Sequence, residues 1–153
     1  MTTKSENPEP MTQAAQPENP EPMPQFAQTD WFLQMLVQLA NTSPMEIGIT
    51  LQVSGMLVSG SIVSRKSYFE GFAEDFASPF SGEPNTAETM KKNFSMFGEK
   101  KLDENERLPQ FVHLKSARFF NTIGNPIPKN RGVWWRGRIC EVGGFSLGIL
   151  SAE

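Results

Sequence analysis

Apolar residues recur at helical spacing over Trp31, Phe32, Met35, Leu36 and Leu39, which predicts a helix whose first N–H groups are accepted by Thr29 or Asp30. Asn41, Thr42, Ser43 and Pro44 end it, because proline cannot continue a helix and disfavours one at the preceding residue. The stripe is expected to pack on the protein's own core. A membrane or partner helix is the alternative, against which stands the lack of Lys and Arg on its polar face. The period then changes to two. Ile47, Ile49, Leu51 and Val53 alternate with Glu46, Gly48, Thr50 and Gln52, which predicts a strand with one buried face. Ser54-Gly55 is a hairpin turn with glycine free to take positive φ. Leu57 and Val58 lead through Gly60 to Ile62 and Val63, where a mid-strand glycine predicts a bend or a close backbone approach.

From 66 to 110 the helical period returns. Tyr68, Phe69, Phe72 and Phe76 fall on one face, Ala87, Met90, Phe94 and Phe97 on another, and the breaker run Ser78 to Asn85 separates two short helices. Glu99 to Arg107 reads as an exposed charged loop. Six of the twelve Phe lie in this insert, so its aromatics either cap the barrel expected of the strands or form a partner surface. The β pattern resumes over Phe111 to Phe120, passes a loop at Asn121 to Gly132, and closes with Val133 to Trp135 and a glycine-bent strand through Gly137, Ile139, Val142 and Phe145. The expected fold class is mostly β with helices (α+β): one helix, then five strands bent into a small closed barrel, with a helical insertion between strands 2 and 3.

Composition divides the 153 residues in two. Residues 1 to 28 carry Lys4 against Glu6, Glu9, Glu18 and Glu21, together with six prolines and no branched aliphatic side chain. The whole formal charge of −3 sits there, leaving 13 basic and 13 acidic side chains from 29 to 153. Such a tail cannot bury enough apolar area to offset its ordering entropy, so it is expected to be disordered. It also repeats: ENPEPM occurs at Glu6, Pro8, Glu9, Pro10 and Met11 and again, twelve positions on, at Glu18, Pro20, Glu21, Pro22 and Met23. Two copies are too few for a solenoid. The repeat is either part of a solubilising tail or a sticker that associates between molecules, and these ten residues are the candidate self-association set.

One Cys and one His exclude an internal disulfide and a zinc module. The first residues lack a basic region followed by an apolar one, so no secretion signal is read there, and the expected location is the cytoplasm. Met45 to Val63 contains Glu46 and Gln52 and alternates with period two, which argues against a membrane span. No phosphate loop and no carboxylate pair at metal-ligand spacing appears, and Cys140 and His113 are each better explained as strand residues. The expectation is therefore no catalytic residue, no metal and no cofactor. Between Arg107 and Cys140 lie seven basic residues (Arg107, Lys115, Arg118, Lys129, Arg131, Arg136 and Arg138) and no acidic one, interleaved with Phe119, Phe120, Trp134 and Trp135. That composition suits single-stranded RNA, a plain solvated face, or pairing with the acidic tail of another molecule.

LQVSGMLVSGSIV and WRGRICEV resemble the two motifs of the Sm-like barrel family, which implies an Sm-like or SH3-like barrel. Lys66 and either Glu70 or Phe111 stand where that family's RNA binders have Asp and Asn, and Arg138-Ile139 replaces the Asn pair after Arg-Gly. Longer strings, GITLQVSGMLVSGSIVSRKSYFEGFAEDF, FVHLKSARFFN and IPKNRGVWWRGRICEVGGFSLGILSA, resemble the gas vesicle accessory protein of the U type over most of Ile47 to Ala152. This resemblance implies a non-enzymatic cytoplasmic protein that promotes clustering of gas vesicles, which are protein-shelled gas-filled compartments. Its partners would be the vesicle shell and further copies of itself, a ring among the outcomes, with no membrane and no nucleic acid. Candidate partner-binding residues are Phe72, Phe76, Phe94, Phe97, Trp134, Trp135, Arg136 and Arg138. An Sm-like RNA-binding module and a general oligomeric adaptor are the alternatives.

Overall fold

The structure is a computed structural model that describes residues 29–99 and 108–151. The tail with its repeat, and the expected charged loop beyond Glu99, lie outside the described residues. Helix α1 spans Trp31–Thr42, and Asp30 caps it by accepting from the N–H groups of Phe32 at 2.9 Å and Leu33 at 3.2 Å. Strands β1 (Ile47–Val53) and β2 (Met56–Ile62) form the expected hairpin. Ser54 and Gly55 both take positive φ, 51° and 79°, the conformation of a tight primed turn. Helix α2 (Arg65–Ala77) starts on the Ser64 hydroxyl, which accepts from Ser67 N–H. A short 3-10 turn at Ser78–Phe80 then leads to α3 (Pro84–Ser95), which opens on proline where no N–H is needed. Strands β3 (Phe111–Phe120), β4 (Pro126–Ile127), β5 (Val133–Arg138) and β6 (Val142–Leu147) follow, with a 3-10 turn at Ile139–Glu141 between the last two.

The six strands form one antiparallel sheet in the order β4-β3-β2-β1-β6, with β5 paired to β3 beside β4. Two expectations are corrected here. The strands number six, because Pro126–Ile127 adds a two-residue strand too short and too proline-rich to show a period. The sheet is also open: the three-residue turn after β5 carries the chain across so that β6 joins β1 while β5 stays on β3.

Bends come from identifiable places. A Cβ at Gly60 would stand 2.9 Å from the Lys115 carbonyl oxygen and 3.0 Å from Ala117 Cα, so the glycine permits the backbone approach expected of it. Opposite it, Ser116 has φ 54° and the β3–β5 register shifts between Leu114 and Ala117. This bulge lets β3 hold β2 on one edge and both β5 and β4 on the other.

Leu33, Val37 and Ala40 of α1 pack on Ile49, Leu51, Val58, Ile62, Val112, Leu114 and Ile139, forming the core on one face of the sheet. Each fully buried aliphatic side chain there is worth about 1.5–3 kcal/mol. The helix therefore does not bury the stripe read from its spacing: Trp31, Phe32, Met35 and Leu39 are exposed, and only Leu36 of that set packs against the core. Apolar residues cover all of α1 except the side lined by Gln34, Gln38 and Asn41, an arc too broad for spacing alone to choose the buried part. The sheet's opposite face is covered in two places. Residues 148–150 cross β1 and β2, with Thr50 Oγ1 donating to Gly148 O at 2.9 Å and Leu150 N–H donating to Ser59 Oγ at 2.8 Å. Helix α2, with α3 packed against it, covers β3 and β5, where the Trp134 indole lies so close to α2 that a Cβ at Gly71 would overlap it.

Candidate interaction surfaces

Alternation along β5 sorts its side chains. Trp135 turns inward against the core, and Gly137, two residues on, leaves room for its ring, which a Cβ there would overlap. Trp134, Arg136 and Arg138 share the outer face. Of the eight residues expected to meet a partner, three are thus brought onto one strand face and Trp135 is turned away from it.

Arg136 is held in place from two sides. Its guanidinium carbon lies 3.6 Å from the centroid of the Phe111 ring, and its Nε donates to His113 Nε2 at 3.2 Å. His113 is buried, with Tyr68 at 4.6 Å and Phe69 at 5.8 Å between ring centroids. Burial first, then the charges of Arg136 and Arg65, push its pKa down to about 3, so the imidazole is neutral at physiological pH and can accept the arginine's hydrogen bond. Burial also raises the Tyr68 pKa, with Arg136 acting in the opposite direction. Three other cations of the basic stretch have carboxylate partners: Lys115 with Glu46 at 3.1 Å, Arg131 with Asp75 at 4.0 Å and Arg138 with Glu141 at 3.6 Å, while Arg118 donates to the Asn130 carbonyl oxygen at 3.2 Å. Among the described residues Arg136 forms no ion pair.

The phenylalanines of the insert divide by role. Phe72 and Phe94, 5.4 Å apart, are half-buried between α2 and α3, and Phe76 stands 4.6 Å from Phe94. Phe97 leans on Phe69 at 5.9 Å. These rings bind the two helices to each other and to β3, while Phe76 and Phe97 keep large exposed areas. Beside them α2, α3, β3 and β5 enclose a cleft of about 550 Å³ lined by Glu70, Glu74, Lys91 and Trp134, whose Lys91 and Glu74 pair with each other at 3.1 Å.

The surface that spacing alone misplaces is the outside of α1. Trp31 is 67% exposed, Met35 50%, Phe32 44% and Leu39 42%, and the helix contains no charged residue. The rings of Trp31, Phe32 and Phe145 form a continuous run, at 5.7 Å and 5.8 Å between centroids, onto β6. The available signal was that the apolar arc of this helix, broken only on the side of Gln34, Gln38 and Asn41, is wider than one neighbour buries.

Cys140 lies exposed in the turn after β5, and His113 is engaged with Arg136 on β3. Among the described residues no group of three His, Cys, Asp or Glu could hold a metal ion, and no helix is long and apolar enough to cross a membrane. The segment Met45 to Val63 is the β1–β2 hairpin.

A family model described as gas vesicle protein GvpU-like matches residues 30–150, from the capping aspartate of α1 to the segment that crosses β1 and β2. No curated protein and no solved structure matches the chain.

Proposed function

The chain belongs to the GvpU-like family of gas vesicle proteins, and from that premise we propose that it is a non-enzymatic accessory protein that gathers vesicles into clusters in the cytoplasm. The observation that carries this reading is the uncharged, exposed apolar face of α1. Four large side chains each roughly half exposed amount to roughly 400 Å² of apolar surface, against about 800 Å² per partner in a stable interface. One such contact is weak. A vesicle shell offers a repeating surface, and many weak contacts on it sum to firm attachment. The shell is the partner of α1 in this reading, and the repeated tail supplies the bridges between molecules on neighbouring vesicles.

Flotation with purified gas vesicles tests it, since bound protein rises with the gas-filled particles. A Trp31→Ser, Met35→Ser double variant should stay folded and remain in the lower layer. A chain lacking residues 1–28 should float but leave the vesicles dispersed under the microscope. Full flotation of the double variant removes the shell role of α1, and undiminished clustering by the truncated chain removes the tail's role.

A further inference from the structure

We propose that Arg136, held between Phe111 and His113 on the outer face of β5, is the docking point for the acidic proline-rich repeat ENPEPM of a second copy of this chain. The proposal rests on the tail being the bridging element. Three observations meet here. The guanidinium is immobilised before any partner arrives, by the ring 3.6 Å beneath it and the imidazole that accepts from Nε, so little side-chain entropy is lost when its remaining N–H groups bind a carboxylate. It forms no ion pair among the described residues, while Lys115, Arg131 and Arg138 each have a carboxylate. Four carboxylates, Glu6, Glu9, Glu18 and Glu21, lie two to each repeat, and they carry the chain's net charge.

The ligand is a short acidic peptide rather than a nucleic acid because a phosphate backbone calls for several unpaired cations in a row, and the pairing of Arg138 with Glu141 leaves Arg136 as the one fixed fork of its strand. One arginine suits one or two carboxylates, bound through two parallel hydrogen bonds. Trp134, two residues earlier on the same face, offers an aromatic neighbour against which a proline can pack. Valence makes the contact intermolecular. Each chain has two repeats and one Arg136, so even a chain whose own repeat fills its own site has a second repeat left for another molecule, and a network follows.

The test uses the full-length chain and static light scattering at low salt. Arg136→Glu should raise the concentration needed for self-association by about tenfold, the loss of one fixed arginine–carboxylate pair. Adding Glu6→Lys, Glu9→Lys, Glu18→Lys and Glu21→Lys to that variant should restore association, because the charges are then exchanged. A synthetic peptide of residues 3–14 should compete with the wild-type chain. Circular dichroism melting reads whether Arg136→Glu still folds; the tail substitutions leave every described residue unchanged and on their own should weaken association as much. Undiminished association of Arg136→Glu overturns the docking assignment, as does failure of the exchanged charges to restore it. Loss of single-stranded oligonucleotide binding in Arg136→Glu with association unchanged overturns it in favour of a nucleic-acid face. The truncated chain separates the two levels: if it associates normally the tail reading itself fails, whereas if it does not and Arg136→Glu does, only the docking point is wrong.

Discussion

His113 makes the fold acid-sensitive in a way that can be measured. Its imidazole is 4% exposed and its pKa in the folded chain is about 3, against about 6.5 in an unfolded one. Between those values the unfolded chain takes up a proton that the folded chain refuses. The contribution of this group to stability is therefore complete above about pH 6.5 and is lost progressively as pH falls toward 3. From pH 7.5 to pH 5 the unfolded imidazole goes from mostly neutral to almost fully protonated while the folded one stays neutral, a loss of about 2 kcal/mol. For a chain of this length that corresponds to a fall in Tm of about 4–8 °C. Carboxylates titrate in the same range, so the assay compares the wild type with His113→Gln, whose amide oxygen can still accept from Arg136 Nε but takes up no proton. Denaturant unfolding of both proteins at pH 7.5 and pH 5 should show the wild type losing about 2 kcal/mol more than the variant. Equal losses in the two proteins would refute the reasoning, because a buried neutral histidine beside two arginines has to oppose protonation.

Further tests address the fold directly. Leu33→Ala, at a fully buried position of α1, should cost about 2–5 kcal/mol in urea unfolding, whereas Leu39→Ala on the exposed side should cost less than about 1 kcal/mol; similar costs would mean that α1 buries the other face. Gly60→Val should destabilise by more than about 2 kcal/mol, because its branched side chain meets the β3 backbone rather than a side chain that could swing aside; a variant with unchanged Tm would show that the β2–β3 approach is looser. Asp30→Ala should lower stability by about 1 kcal/mol through loss of the α1 cap, with Asp30→Ser recovering most of it.

Much of the molecule is written in local chemistry. Ser54-Gly55 can adopt the positive φ of a tight turn, Asp30 and Ser64 can accept the first N–H groups of a helix, and Pro84 suits a first helical position, so the hairpin and the starts of α1, α2 and α3 follow from residues within a few positions of one another. Period-two alternation in β1 and the glycine of β2 were legible for the same reason. The strings that resemble the gas vesicle accessory protein of the U type pointed to the family, which the match over residues 30–150 shows.

What was not local was decided by packing. Helix α1 is apolar on all but the side of Gln34, Gln38 and Asn41, and only the core face of the sheet, with Ile49, Leu51 and Leu114 already in place, selected Leu33, Val37 and Ala40 and left Trp31 and Met35 outside. A two-residue turn sets its own register, but the partner of a strand that arrives eighty residues later depends on which edge is free. That is why β6 joins β1, β5 stays on β3, and the sheet remains open. The direction of Trp134 and Trp135 was fixed by the same pairing, and Arg136 differs from Lys115, Arg131 and Arg138 because they meet carboxylates at Glu46, Asp75 and Glu141 while it is anchored by Phe111 and His113 across the sheet. Sequence determined most of the segments that become helix, turn and strand, because caps and glycines act on their neighbours, while the two-residue β4 left no period to read. Tertiary structure alone decided which faces are buried and which stay free to bind, because burial is a competition among all segments for one limited core.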